Sequence, residues 1–129
     1  MKIVCDTSAY SEFKRGDERI VDMIARASAI FIPSIVLGEL KAGFKGGRRE
    51  RTNIHELDQF LSSPRVNVAI VSEDTADFYA RIYHQLKKAG SPIPANDLWI
   101  AAITFECGAM LLSTDAHFQA VPGLVILPE

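Results

Sequence analysis

Four carboxylate residues stand where apolar segments of the chain end or turn. Asp6 and Asp115 each follow a short apolar run, Asp97 lies just before a third apolar segment, and Glu39 lies beside the apolar stripe of a fourth. Such carboxylates are costly to hold near a core unless something binds them. Oxygen ligands without a cysteine and histidine set favour Mg²⁺ or Mn²⁺ over Zn²⁺. If the four converge, they predict a divalent-cation site that could activate water against a phosphodiester.

Taken singly, the four acids have simpler explanations. Asp6 and Asp97 are suited to cap helices, Asp115 to a turn, and Glu39 to the solvated edge of a helix. Taken together, they are harder to explain, because two unit charges ~6 Å apart repel by roughly 3 kcal/mol at an effective dielectric near 20. The six pairs of a full cluster would cost on the order of 10 kcal/mol, comparable with the stability of a whole domain. Either the acids stay apart, or protons or cations neutralise them.

Short apolar runs alternate with segments of helical periodicity along the chain. Strands are predicted where the runs are short and unalternated or β-branched, at residues 2–5, 29–32, 66–71, 110–112 and 124–127. Helices are predicted after Asp6, after Asp17, from Ser34, around 54–61, over 73–89 and over 98–105, the last capped by Asn96 and buried on nearly all sides. This alternation indicates an α/β sandwich with a largely parallel sheet.

The predicted topology brings at least two of the acids to one edge of the sheet. In open α/β sheets, ligands bind beyond the carboxyl ends of the strands, near the point where the strand order reverses. Asp6 and Asp115 both belong on that rim. Asp97 falls in the first turn of the buried helix, where main-chain donors and the helix dipole favour its ionised form. The sequence alone leaves open whether all four acids meet.

Length and composition limit the classes of protein to consider. With 129 residues, 48% of them hydrophobic, the chain fits one domain spanning residues 1–129. A formal net charge of −2 argues against broad electrostatic capture of a polyanion, so such a ligand needs a local basic patch or a cation. The start MKIVCD is no signal peptide, and no apolar run approaches the ~20 residues that span a bilayer, so we expect a cytoplasmic protein without membrane contact. Two cysteines are too few for a disulfide framework.

One local basic cluster surrounds a Gly-Gly break, and it comprises Lys41, Lys45, Arg48, Arg49 and Arg51. A solvated helix end explains these residues most simply, and a grip on an RNA backbone is the functional alternative.

The remaining chemically active side chains favour structural roles. The three histidines share no metal-ligand spacing, so surface or packing roles are favoured for them. Trp99 is expected in the core or beside the acids, and Tyr79 and Tyr83 on a packed helix stripe.

Four segments in order resemble one known family. DTSAYSEF (6–13), PSIVLGELKAGF (33–44), NDLWIAAI (96–103) and LLSTDAHFQAVPGLVIL (111–127) resemble the PIN domain, and more narrowly the toxin ribonucleases of VapBC-type toxin–antitoxin modules. The resemblance runs over nearly the whole chain. It implies a three-layer α/β/α sandwich with a central, mainly parallel sheet and an acidic pocket that binds Mg²⁺ or Mn²⁺.

The same resemblance implies roles for individual residues. Asp6, Glu39, Asp97 and Asp115 match the four catalytic acids in order, with Asp6 and Asp97 in direct contact with metal. Thr7, Ser8 and Thr114 match supporting hydroxyl positions, although helix capping explains Thr7 and Ser8 equally well. It further implies cleavage of an RNA loop, a homodimer, and a small antitoxin that inserts a segment into the pocket.

Three other functions would use part of the same pattern. A haloacid-dehalogenase-type phosphohydrolase would need a second Asp two residues after Asp6, where the chain has Ser8. A receiver-like module would need a phosphoacceptor Asp after a mid-chain strand and a Lys after a late one, and neither pattern follows Val71 or Leu112. An RNA- or metal-binding regulatory module with an acidic pocket and no catalysis stays open as the alternative.

Overall fold

Five short strands form one parallel sheet at the centre of the computed structural model, which describes residues 1–129. In chain order they are β1 (Lys2–Cys5), β2 (Ala29–Pro33), β3 (Val66–Ala69), β4 (Met110–Leu112) and β5 (Ile126–Leu127). Their order across the sheet is β3-β2-β1-β4-β5, and every neighbouring pair is parallel. The chain therefore winds to one side of β1 and then returns to the other, so the strand order reverses between β1 and β4.

Six α-helices flank this sheet and complete a three-layer α/β/α sandwich, as predicted. They are α1 (Thr7–Arg15), α2 (Glu18–Arg26), α3 (Ser34–Phe44), α4 (Glu50–Leu61), α5 (Glu73–Ala89) and α6 (Ala95–Glu106), and a short 3₁₀ helix spans Ala116–Ala120. A single cluster of 25 buried apolar residues joins the layers. Helix α6 contributes six buried residues, which confirms the prediction of a helix enclosed on nearly all sides.

Three predicted boundaries were wrong. The strand predicted over 66–71 ends at Ala69, because Ala69 pairs with Pro33, the last residue of its only neighbouring strand. Ile70 beyond it is 69% exposed. Similarly, the last strand is limited to Ile126–Leu127, the residues that pair with β4. Helix α6 begins at Ala95 with Pro94 as its N-cap, so Asn96 does not cap it.

Helix α4 begins at Glu50, before the start of the helix predicted around 54–61. No helix combines the length and the hydropathy that crossing a bilayer requires. Both cysteines are free thiols, Cys5 buried and Cys107 half-buried.

Candidate metal centre

Asp6 is the most enclosed of the four acids. It follows β1 directly and is the N-cap of α1, where its Oδ1 accepts the backbone N–H of Ala9 at 2.8 Å. The Ser8 hydroxyl donates to the same oxygen at 2.7 Å, and the Ser113 hydroxyl donates to Oδ2 at 2.5 Å. The residue is only 3% exposed. Helix capping therefore accounts for one oxygen of Asp6, while a side chain just beyond β4 holds the other.

The surroundings of Asp6 raise the pKa of its carboxyl above the ordinary value. Burial raises the pKa of the carboxyl, hydrogen bonds from Ser113, Ala9 and Ser8 lower it, and the nearby Asp115 raises it, with a net rise. A buried carboxylate held close to a second negative charge is a position where a cation is stabilising.

Asp97 and Asp115 approach each other around one imidazole. His117 Nδ1 lies 3.0 Å from Asp97 Oδ2 and 3.1 Å from Asp115 Oδ1. One potential ligand atom from each of the three residues lies within 4.8 Å of the others. Burial raises the pKa of Asp97, the His117 hydrogen bond lowers it, and the charges of Asp115 and Glu39 raise it, again with a net rise.

Glu39 joins three helices at the same rim. The Thr7 hydroxyl, in the first turn of α1, donates to Glu39 Oε1 at 2.6 Å. The Asn96 side chain, in the first turn of α6, lies 3.4 Å from Glu39 Oε2 as a donor. These contacts tie the acid to the rim from two other helices, and they orient its carboxylate.

The structure brings Asp97, Asp115 and His117 within ligand distance of one another, and Asp6 and Glu39 lie outside that group. The charge of Asp115 raises the pKa of both Asp6 and Asp97, and the charge of Glu39 raises the pKa of Asp97. No lysine or arginine forms an ion pair with any of the four; His117 is the only basic side chain in contact with them. The donor set, carboxylate oxygens with one imidazole nitrogen, fits a divalent cation such as Mg²⁺ or Mn²⁺.

The supporting hydroxyls differ from the sequence prediction at one position. Thr7 and Ser8 lie beside acids as expected, but the hydroxyl that reaches Asp6 from the late strand is that of Ser113 and not of Thr114. Thr114 takes part through its backbone N–H, which donates to the Ser8 hydroxyl at 3.0 Å. The reason is register: Cys5 pairs with Leu112, so the residues that follow on each strand, Asp6 and Ser113, are neighbours.

His117 is the second residue that sequence reasoning missed. Its spacing to the other histidines gave no signal, and it was expected on the surface or in packing. Its ring is exposed, yet it reaches both carboxylates because the backbone turns into a 3₁₀ helix at Asp115, whose Oδ1 accepts the His117 N–H at 2.9 Å. The sequence feature that could have indicated this contact is the histidine two residues after Asp115.

The basic cluster makes its ion pairs with other acids than these four. Lys41, Lys45, Arg48 and Arg49 are exposed, at the end of α3 and in the connection to α4. Lys45 pairs with Glu50 at 3.6 Å, and Arg49 pairs with Glu56 at 3.6 Å. None of them forms an ion pair with the four acids.

Three aromatic rings form a continuous stack on α5 and α6. Tyr79 lies against Trp99 with ring centroids 4.0 Å apart, and against Tyr83 at 6.3 Å. Trp99 is only half-buried, and because it follows Asp97 by two residues the two side chains point to different faces of α6.

Comparison with known proteins agrees with this geometry. The model of the PIN domain family matches residues 3–124. This chain belongs to the PIN domain family. Ribonuclease VapC2 of Rickettsia felis is 30% identical over 107 residues, which cover 82% of this chain and 78% of the relative. Ribonuclease VapC1 of Haemophilus influenzae, strain R2866, is 33% identical over 91 residues, covering 70% and 66%.

Solved structures of VapBC complexes share the fold. VapBC-1 from nontypeable Haemophilus influenzae has a TM-score of 0.84 at 25% identity, covering 98% of this chain and 96% of that one. VapBC2 from Rickettsia felis, bound to a DNA fragment from its promoter, has a TM-score of 0.82 at 26% identity, covering 98% and 97%. These matches confirm the predicted resemblance, and within its family the chain is of the VapC type.

Proposed function

We propose that this protein is a metal-dependent endoribonuclease and the toxin of a VapC-type toxin–antitoxin pair. The observation that carries the proposal is the group of Asp97, Asp115 and His117, whose two carboxylates also interact electrostatically with Asp6 and Glu39 and form no ion pair with a lysine or arginine. Folding such a cluster costs free energy that a bound cation offsets. The relatives named as ribonucleases supply the substrate class, RNA.

We assign the roles of the four acids from their match to the family pattern. Asp6 and Asp97 would hold Mg²⁺ or Mn²⁺ directly, with Glu39 and Asp115 completing the pocket. Bound there, the cation would lower the pKa of a water molecule and offset the negative charge that develops on an RNA phosphodiester.

The neighbouring side chains keep the acids in position. Ser113, Ser8 and the N–H of Ala9 fix both oxygens of Asp6. Thr7 and Asn96 hold the two oxygens of Glu39 from different helices. A site held in this way needs little rearrangement when charge develops on the substrate, and that is the main source of electrostatic catalysis.

The partners follow from the same family. The related structures are toxin–antitoxin complexes, so we propose a small antitoxin whose inhibitory segment places a cationic side chain among the four acids. We also propose a homodimer acting in the cytoplasm on an RNA loop.

The direct test is cleavage of labelled single-stranded RNA by the purified protein with Mn²⁺, with Mg²⁺ or with EDTA. Asp97→Asn should reduce the rate by about 100-fold or more, the usual loss when a group that stabilises transition-state charge is removed. Asp58→Asn, an exposed residue on α4, is the matched control and should leave the rate unchanged. Equal cutting in EDTA, or by Asp97→Asn, would overturn the proposal. RNA binding without any cutting would establish the regulatory-module alternative.

A further inference from the structure

A cavity of about 380 Å³ lies between α1, α3 and α4, apart from the four acids. Its walls include Lys14, Arg15 and Arg49, and the only acid among them is Glu56. Arg15 is paired with Glu12, which is not part of the wall, at 2.5 Å. The cavity is thus a basic recess in a chain whose formal net charge is −2.

The Glu56 carboxylate forms ion pairs with two cationic side chains. Its Oε2 lies 2.7 Å from Lys14 Nζ, and its Oε1 lies 3.6 Å from Arg49 Nη2. The hydrogen bond from Lys14 is the main cause of the lowered pKa of Glu56, which keeps the carboxylate ionised. One carboxylate between two cations leaves a positive charge that nothing else in the cavity offsets.

A buried hydroxyl on the same wall has no partner. Tyr10 is 2% exposed and lines the cavity, and its Oη is the only buried side-chain nitrogen or oxygen in the protein without a hydrogen bond. Folded proteins rarely leave such a group unsatisfied, so it marks a place where an acceptor atom of a ligand would bind. Burial and the charge of Glu56 raise the pKa of Tyr10 to about 12, so the hydroxyl keeps its proton.

Two helices, α1 and α3, contribute residues both to the acidic rim and to the cavity. Thr7 on α1 donates to Glu39 on α3, and Leu40, the residue after Glu39, lines the cavity. Lys14 follows Thr7 by seven residues on the same helix, which is about 10 Å along its axis. A single RNA strand that starts at the acids would therefore need only a few nucleotides to reach the cavity.

We propose that this cavity binds a backbone phosphate of the RNA substrate, with Lys14 and Arg49 as cationic ligands and the Tyr10 hydroxyl as a donor. The proposal rests on the proposed ribonuclease function and names a substrate-positioning site for it. A phosphate supplies a negative charge for the two cations and acceptor oxygens for the hydroxyl. The separation of only about 10 Å along α1 between the cavity and the contact of Thr7 with Glu39 favours the RNA strand over an acidic peptide.

Binding of a labelled single-stranded RNA, measured by fluorescence anisotropy at several salt concentrations, tests this site. All variants carry Asp97→Asn so that the RNA stays intact. The double variant Lys14→Gln with Arg49→Gln should bind RNA about tenfold more weakly at low salt. The plot of log K against log salt should also become less steep, by roughly 0.7 for each phosphate that the protein no longer neutralises. Arg26→Gln with Lys88→Gln removes the same charge from exposed positions on α2 and α5 and is the matched control.

Two further variants separate phosphate binding from a structural role. Glu56→Gln removes the competing carboxylate, so RNA affinity should rise several-fold, whereas disruption of a structural ion pair would lower it. Tyr10→Phe should weaken RNA binding a few-fold without lowering the Tm, because the hydroxyl stabilises nothing in the free protein.

The result that would overturn the proposal is a salt slope equal to that of the control pair, or weaker binding after Glu56→Gln. Variants that keep RNA affinity but no longer bind the antitoxin would assign the cavity to the partner protein and overturn it too. RNA cleavage with Mn²⁺ is measured in parallel on the protein that keeps Asp97. If that protein cleaves RNA, a failed binding test rejects the phosphate site but not the ribonuclease function. Absence of both cleavage and RNA binding would overturn the ribonuclease function as well.

Discussion

Ser113 is the residue on which the position of Asp6 depends most. Its hydroxyl donates to Asp6 Oδ2 and accepts the backbone N–H of Asp115 at 3.0 Å, so it links two of the four acids. Hydrogen-bond partners of this kind fix the orientation of a metal ligand and lower the proton affinity of a carboxylate.

Ser113→Ala should therefore weaken Mn²⁺ binding by about 10- to 100-fold, the usual effect of removing a side chain that orients a metal ligand. Isothermal titration calorimetry measures the change. Ser113→Thr keeps the hydroxyl and should restore most of the affinity, and Ser91→Ala, in the exposed connection before α6, should have no effect. An alanine variant that binds Mn²⁺ like the original protein would show that Asp6 needs no such support.

His117 gives the site a nitrogen donor. Imidazole suits Mn²⁺ and the later transition metals better than Mg²⁺, which is bound through oxygen. His117→Asn should lower the affinity for Mn²⁺ more than the affinity for Mg²⁺, so their ratio falls. Nitrogen coupling in the electron paramagnetic resonance spectrum of bound Mn²⁺ should disappear in this variant and persist in His84→Asn, an exposed residue on α5. Coupling that persists in His117→Asn would exclude the imidazole as a ligand.

The raised pKa values of Asp6 and Asp97 predict how stability depends on pH. A carboxyl with a higher pKa in the folded state binds more protons there, so stability falls as pH rises from the unfolded value, about 3.9, through the folded one. Above that window, at neutral pH, the full penalty is present without metal.

Asp97→Asn should consequently raise the Tm of the metal-free protein at pH 7 and flatten its dependence on pH. Added Mn²⁺ should raise the Tm of the original protein and have a smaller effect on the variant, since a ligand that binds only the folded state stabilises it. Differential scanning calorimetry from about pH 4 to about pH 7, the range above the unfolded pKa, measures both. A metal-free variant that melts lower than the original at pH 7 would contradict the electrostatic account.

At the scale of elements, the position of Asp97 depends on the contacts that hold α6 against α5. The buried Thr75, in the first turn of α5, donates to Glu106 Oε1 at the far end of α6 at 2.5 Å. Ser72, the N-cap of α5, donates to Glu106 Oε2 at 3.2 Å. The two side chains that cap the start of α5 thus also bind the last residue of α6.

Thr75→Val should lower the free energy of unfolding by about 1.5–3 kcal/mol, the usual contribution of a hydrogen bond to a charged group. Urea denaturation followed by circular dichroism measures it. Thr52→Val, on the exposed face of α4, is the matched change and should stay within about 0.5 kcal/mol. Equal effects of the two substitutions would mean that the α5–α6 connection contributes no stability.

At the scale of the whole molecule, an apolar surface lies near the aromatic stack. Tyr83 is 50% exposed beside a cavity of about 210 Å³ whose walls include Leu86, Pro92 and Ile93. The homodimer remains a prediction, and this surface is where we place its contact, because specific interfaces carry aromatic anchors in apolar surroundings.

Tyr83→Asp should convert the dimer to a monomer, since a stable interface of about 1,200–2,000 Å² tolerates a buried unpaired charge poorly. Sedimentation equilibrium should give the mass of two chains before the change and of one chain after it. Val21→Asp, on an exposed part of α2, is the control. A single-chain mass for the original protein would contradict the dimer, and a dimeric Tyr83→Asp would place its contact elsewhere.

Much of this architecture is local in origin and was predictable. The apolar residues Ile3–Cys5 of β1 are buried, and Asp6 follows the strand and caps α1 with its own side chain. The helix over 73–89 was predicted to the residue, because its apolar face and the glycine that ends it, Gly90, are local signals. Asp6 and Asp115 were placed on the right rim because parallel strands present their carboxyl ends together.

Only the tertiary structure decided which side chains meet. Ser113 rather than Thr114 reaches Asp6 because of the register between β1 and β4, and a shift of one residue exchanges the side chains on each face of a strand. The Thr7–Glu39 and His117–Asp97 contacts join residues 32 and 20 positions apart in the chain. Sequence carries the local preferences that form each element, but contacts between elements depend on register and packing, which no single segment contains.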